Sequence, residues 1–157
     1  MTSEVSLTVP GALEQIARIR AWLGDVLVSW TVSAQAASDL CLAVTEICTN
    51  IVRHGYGTER GGDIEIGVSH ELRTLRVTIV DTAAPFWPGG VSSPLPETLA
   101  EGGYGLGLVH SVVDSVSFQR VGDRQNRTVL VKHEDRPSGD ASSHTGCGPS
   151  GRTPEKQ

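Results

Sequence analysis

The 157 residues, 38% hydrophobic and 20% charged, have the balance of a soluble globular domain that can bury its own core but is too short for a second catalytic domain. A formal charge of -5 gives no electrostatic footprint for a phosphate backbone, and 4% aromatic residues leave few platforms for stacked bases, so direct nucleic-acid binding is excluded. Three cysteines without a close pair argue against a disulfide framework or a CxxC zinc site, and the absence of a signal-peptide start or a membrane-length apolar run predicts a cytoplasmic protein with no membrane association.

Val5, Leu7 and Val9 alternate with polar neighbours between Glu4 and Val9, which predicts an opening strand closed by Pro10-Gly11. From Ala12 to about Trp30, Leu13, Ile16, Leu23, Val26, Leu27 and Trp30 recur at helical spacing, with Arg18 and Arg20 away from the densest part of the stripe. Ser33 reads as the N-cap of a second helix, whose apolar positions Ala37, Leu40, Cys41, Val44, Ile47, Cys48 and Ile51 persist until Gly55, the expected stop. Cys41 and Cys48 share one face of it as small buried hydrophobes.

Gly61-Gly62 turns the chain into a strand from Asp63 to Ser69. A hairpin partner follows through Leu75, Val77 and Ile79, ending before Asp81. Thr82 to Gly105 holds Pro85, Pro88, Gly89-Gly90, Pro94, Pro96 and Gly102-Gly103. So long a stretch without periodicity is expected to be a functional lid, centred on about Trp87 to Gly103. Leu106 to Asp114 reads as a short third helix, and Val116 to Gln119 and Thr128 to Val131 as strands around a Gly122-Asp123 turn. Ser, Gly, Thr and Pro dominate from Pro137, and apolar residues, Cys147 aside, almost vanish. The expected organisation is one domain over residues 1–134 and a disordered tail over 135–157.

Four segments carry chemistry. Glu46 and Asn50 stand one helical turn apart, roughly 6 Å at Cβ, so one water or one cation can meet both, and His54 continues that face. A carboxylate can take a proton from a nucleophile, and an amide oxygen is a hard ligand for a cation such as magnesium that keeps several waters. A solvated polar stripe would look the same. Asp81 is presented at a strand end by Thr82-Ala83-Ala84-Pro85, where it can accept from an exocyclic amine or simply form the turn. Gly102-Gly103-Tyr104-Gly105-Leu106-Gly107 opens a helix, a setting for phosphates cradled by backbone N–H groups or for a plain hinge. It is not a P-loop, and it makes a poor dinucleotide fingerprint.

In this order, with Thr128 in the last strand, the segments resemble the N, G1 and G2 boxes and final threonine of the GHKL superfamily, over about Leu7 to His133. Glu46-x-x-x-Asn50-x-x-x-His54-Gly55-Tyr56 is most similar to its serine-kinase anti-sigma factors. The resemblance implies an α/β two-layer sandwich, a mixed or antiparallel sheet with helices on one face, and ATP held between the second helix and the lid. It implies Glu46 as general base for a partner's serine and Asn50 as the Mg2+ ligand. Asp81 would read the adenine amine with support from Thr128, and Gly103, Gly105 and Gly107 would wrap the phosphates. His54, Ala83, Pro85, Gly102, Tyr104 and Leu106 complete the ATP-binding set. The family usually has glycine where this chain has Ala83 and often a basic residue at Tyr104.

The function so implied is an ATP-dependent protein-serine kinase that sequesters a sigma factor and phosphorylates a small anti-anti-sigma protein of the STAS type. Arg18 and Arg20 are the expected partner contacts, and the family favours a homodimer. Two alternatives remain at this stage: a binding module of the same fold without efficient phosphoryl transfer, and a detached histidine-kinase catalytic domain.

Overall fold

The computed structural model describes residues 3–57, 61–85, 93–94 and 105–135. Strand β1 (Ser3–Pro10) is followed by a 3-10 turn (Leu13–Gln15), helix α1 (Ile16–Ser29), helix α2 (Ala34–Asn50) and a π-helical turn (Ile51–Tyr56). Then come β2 (Asp63–Glu71), β3 (Thr74–Asp81), the two-residue β4 (Ser93–Pro94), helix α3 (Leu106–Val112), β5 (Ser115–Val121) and β6 (Gln125–His133). The predicted elements are all present, and β4 adds a short strand inside the stretch read as aperiodic.

The sheet order is β1-β2-β3-β6-β5-β4, and every described pairing is antiparallel, which decides between the two arrangements expected. Two hairpins, β2–β3 and β5–β6, supply most of it, and β6 inserts beside β3, so the strand ends Asp81 and Asn126 face each other across one register. The β2–β3 turn places both Leu72 (φ 45°) and Arg73 (φ 67°) in the left-handed region, the backbone that tight hairpins require and that Asn-Gly usually supplies.

One apolar layer joins helices to sheet. Ile19, Leu23 and Leu27 of α1, Leu40, Val44 and Ile47 of α2, Leu75, Val77 and Ile79 of β3 and Leu130 of β6 are all fully buried in it. Period four on the helices and period two on the strands direct these side chains to a single interface. The opposite face of the sheet is an open groove of about 750 Å³ lined by side chains that include Glu65, Arg76, Arg127 and Val129.

Polar contacts fix α2 over this layer. The Ser33 side chain caps its start, accepting from the Ala36 N–H at 3.3 Å, as the sequence predicts. The Ser33 N–H donates to Glu134 Oε1 at 3.0 Å, and Glu134 Oε2 lies 3.1 Å from His70 Nε2. Lys132 pairs with Asp39 at 2.9 Å and donates to the Val112 carbonyl at 2.8 Å, tying α2 to the end of α3. The end of α2 departs from expectation: Gly55 does not stop the helix but lies inside the π-turn, and Gly57, at φ 72°, ends it. Among the described residues no helix is long and apolar enough to cross a membrane.

Candidate nucleotide site

The C-terminal half of α2 forms one wall of the site. Glu46 is half-buried, and its carboxylate rests against the backbone where α3 begins: a Cβ built on Gly105 would stand 2.4 Å from Glu46 Oε2. Gly105 also has φ +67°, so both its conformation and its lack of a side chain are needed for this approach. Asn50, one turn further along α2, is only 5% exposed. His54 lies in the π-turn that follows. The wider π-turn breaks the four-residue repeat after Asn50, and His54 is exposed.

At the end of β3, Asp81 is 1% exposed. Its Oδ1 accepts from the Ala83 N–H at 2.9 Å, closing the turn that the aspartate was expected to form, and from Asn126 Nδ2 at 2.7 Å. Among the described residues its Oδ2 is buried with no hydrogen-bond partner, and so is Thr128 Oγ1 on the same inward face of β6. Burial pushes the Asp81 carboxyl above its usual range, opposed by the Asn126 and Ala83 hydrogen bonds and by the charge of Arg120. Beside it, burial pushes the Cys48 thiol far up, with the Asp81 charge adding to the shift, so Cys48 is a neutral core residue. Cys41 is half-buried.

Ala83, the departure from the usual glycine, is 4% exposed, and its φ is not in the left-handed region. Its methyl occupies room left by Gly55, where a Cβ would stand 2.6 Å from it. The turn therefore accepts an alanine without strain. Pro85 is exposed at the mouth, Gly107 is half-buried in α3, and the Leu106 side chain is fully buried, leaving only its backbone to meet a ligand. Arg18 and Arg20 are exposed on α1. Gly102, Gly103 and Tyr104, most of the segment read as a lid, and the tail from 136 with Cys147 lie outside the described residues.

Sequence reasoning missed Asn126 and Arg120, and it quoted Tyr56 only as part of a motif, without a role. The inward register of β6 runs Asn126, Thr128, Leu130, so a polar residue two before Thr128 was the available signal for Asn126. Tyr56 fills the space over Gly11 and Gly61, where added Cβ atoms would stand 2.4 and 2.0 Å from its ring. Its hydroxyl donates to the Asp63 carbonyl at 2.8 Å and accepts from the Thr82 N–H at 3.1 Å, which anchors the turn that follows Asp81.

Two unpaired buried oxygens would suit the polar edge of a base and its ordered water, and the lack of a side chain at Gly105 brings its backbone close to the Glu46 carboxylate. The sequence matches the histidine kinase-like ATPase domain family over residues 9–132. It is 30% identical over 123 residues to the serine-protein kinase RsbW of Oceanobacillus iheyensis, covering 73% of this chain and 77% of that protein. RsbW of Bacillus subtilis is 28% identical over 127 residues with the same two coverages, and RsbW of Bacillus thuringiensis is 27% identical over 137 residues, covering 82% of each. In fold, the chain is similar to a crystal structure of the RsbU and RsbW domains of a Mycobacterium tuberculosis protein, with a TM-score of 0.63, 18% identity and 86% of this chain covered. It spans 33% of that longer chain. The match over residues 9–132, with the antiparallel sheet and the site built on α2, β3 and β6, places the chain in the histidine kinase-like ATPase domain family, among its GHKL-type members similar to the RsbW serine-protein kinases.

Proposed function

We propose that the protein is an ATP-dependent serine kinase and anti-sigma factor, which sequesters a sigma factor and phosphorylates a serine of an anti-anti-sigma protein. The observation that carries this reading is the close approach of the Glu46 carboxylate to Gly105, and the unpaired oxygens of Asp81 and Thr128 support a base received between them. A nucleotide with its amine at Asp81 and its phosphates toward Gly105 then has its transferable end beside a carboxylate.

Bound ATP supplies the γ-phosphoryl group. Glu46 accepts the proton of the partner's serine hydroxyl as that oxygen bonds to phosphorus and the bond to the ADP oxygen breaks. Among the described residues no cluster of three or more His, Cys, Asp or Glu could hold a metal alone; in this reading the Asn50 amide oxygen would help hold Mg2+, which would neutralise phosphate charge. Asp81 Oδ2 accepts from the adenine amine and Thr128 Oγ1 from ordered water. Residues 1–134 form the kinase domain, the described backbone from Gly105 onward carries the phosphate side, and Arg18 and Arg20 offer guanidinium groups to acidic surfaces of either protein partner. The reading includes a homodimer acting in the cytoplasm.

Ala83 lends no support to a binding-only module, because the turn accepts its methyl in the room left by Gly55. The test is phosphoryl transfer to a candidate partner in Mg-ATP, read as a mass gain of one phosphate. Glu46→Gln is expected to slow transfer by at least about a hundredfold, the lower range for loss of a general base, while ATP affinity stays within about twofold. A Glu46→Gln protein transferring phosphate at the wild-type rate would overturn the assignment of the base.

A further inference from the structure

Asp81, Asn126 and Arg120 form a row across three neighbouring strands, since Asn126 of β6 is in register with Asp81 of β3 on one side and Arg120 of β5 on the other. Asn126 is 1% exposed. Its Nδ2 donates to Asp81 Oδ1 at 2.7 Å and to the Ala83 carbonyl at 2.9 Å, and its Oδ1 accepts from Arg120 Nη1 at 2.5 Å. A guanidinium only donates, so the amide oxygen must face Arg120 and the amide nitrogen must face the turn. Arg120 is held in its own place by donating through its other terminal nitrogen to the Asp123 carbonyl in the β5–β6 turn.

The effect falls on Asp81. A carboxylate rotates between two nearly equivalent settings, each exchanging the roles of its oxygens. Among the described residues both donors to this carboxylate, Asn126 Nδ2 and the Ala83 N–H, converge on Oδ1 and leave Oδ2 buried and unpaired. We infer that Asn126, oriented by Arg120, is a positioning residue that engages Oδ1 of Asp81 so that Oδ2 faces the base, and that it thereby sets the preference for a 6-amino purine over a 6-oxo purine. The inference rests on the nucleotide reading of this site.

A carboxylate so held accepts hydrogen bonds and gives none: it can receive the amine of adenine and repels the carbonyl that guanine or hypoxanthine carries at the same position. Burial acts against this by raising the pKa of Asp81, and the Asn126 hydrogen bond and the Arg120 charge counter that rise. Without Asn126 the carboxyl is freer to rotate and to take up a proton, and a protonated acid can donate to a 6-oxo group. Loss of Asn126 should therefore weaken adenine binding while sparing or favouring hypoxanthine, whereas a purely structural defect would weaken both alike.

Calorimetry on the full chain, with magnesium and either ATP or inosine triphosphate, tests this in wild type, Asn126→Ala and Arg120→Met. Wild type should prefer ATP. Asn126→Ala should bind ATP at least about tenfold more weakly with inosine triphosphate changed by less than about twofold, and Arg120→Met should move the ratio the same way by about threefold. If Asn126→Ala does not fold, Arg120→Met decides, because it keeps the asparagine and removes only the group that orients it. A folded variant with both affinities reduced equally, or with the wild-type ratio, would overturn the positioning role while leaving Asp81 as the base reader. A wild type that binds the two nucleotides equally would overturn the adenine reading itself.

Discussion

Along the inward faces of β3 and β6, Leu75, Val77, Ile79 and Leu130 fill one end, and Asp81, Asn126 and Thr128 the other, all at 1% exposure or less. Burial is the same at both ends, so the difference is chemical. The apolar end gains stability from every atom removed from water, whereas the polar end leaves Asp81 Oδ2 and Thr128 Oγ1 without partners. Buried polar groups are nearly always paired in folded proteins, and of the three unpaired side-chain oxygens among the described residues two lie at this end, the third being Gln15 Oε1. One sheet thus has an apolar end built for folding and a polar end that, in the proposed reading, receives the base.

The sharpest way to separate the two ends is Leu130→Ala, which should cost about 2–5 kcal/mol in urea unfolding while the folded fraction keeps its ATP affinity within about twofold. Equal damage to affinity would show that the ends are not separable.

Asp81→Asn should act in the opposite sense. Removing a buried charge whose second oxygen is unpaired should raise stability at neutral pH by about 1 kcal/mol, while ATP binding weakens at least about tenfold. A pH series tests the cause. Because burial raises the folded-state pKa of Asp81, the native protein holds that proton more tightly than the unfolded chain does. The stability this contributes is complete below the ordinary carboxylate range and is lost as pH rises through the raised folded value. Urea melts of wild type minus Asp81→Asn should show that slope above about pH 4, and a flat difference would remove the buried charge as its source.

The smallest effect is expected from Thr128→Val. Exchanging an unpaired hydroxyl for a methyl should change stability by less than about 1 kcal/mol and lower ATP affinity by about three- to tenfold. Unchanged affinity, measured by calorimetry, would leave Thr128 as ordinary packing.

Elements were legible in this sequence because their signals are local. Ser33 capped the predicted helix, and Ile64, Ile66 and Val68 alternated into the burial that β2 shows. Glu46 and Asn50 were legible as a polar pair one turn apart within a helical pattern and Asp81 as a strand end, their roles coming only from the family resemblance. The partners that complete the site were not. Asn126 and Arg120 reach Asp81 only through strand register, which pairs residues 45 apart in the chain for Asn126; the local window shows Asn126 on the face of Thr128 but not that it meets Asp81. The π-turn was hidden for a related reason: Gly55 reads as a helix stop, yet its value lies in contact with Ala83, far along the chain.

That contact gives the site a history with a direction. One methyl's room is shared between positions 55 and 83, and the methyl now stands at 83. A lineage could drop it in a single step, leaving a small void, but could not first add one at 55, where the new Cβ would stand 2.6 Å from the old. Even after the loss, the Ala84 carbonyl oxygen would lie 3.0 Å from a Cβ at 55 and would have to give way. Position 83 can therefore lose its methyl without a clash, whereas position 55 cannot gain one without displacing a neighbour.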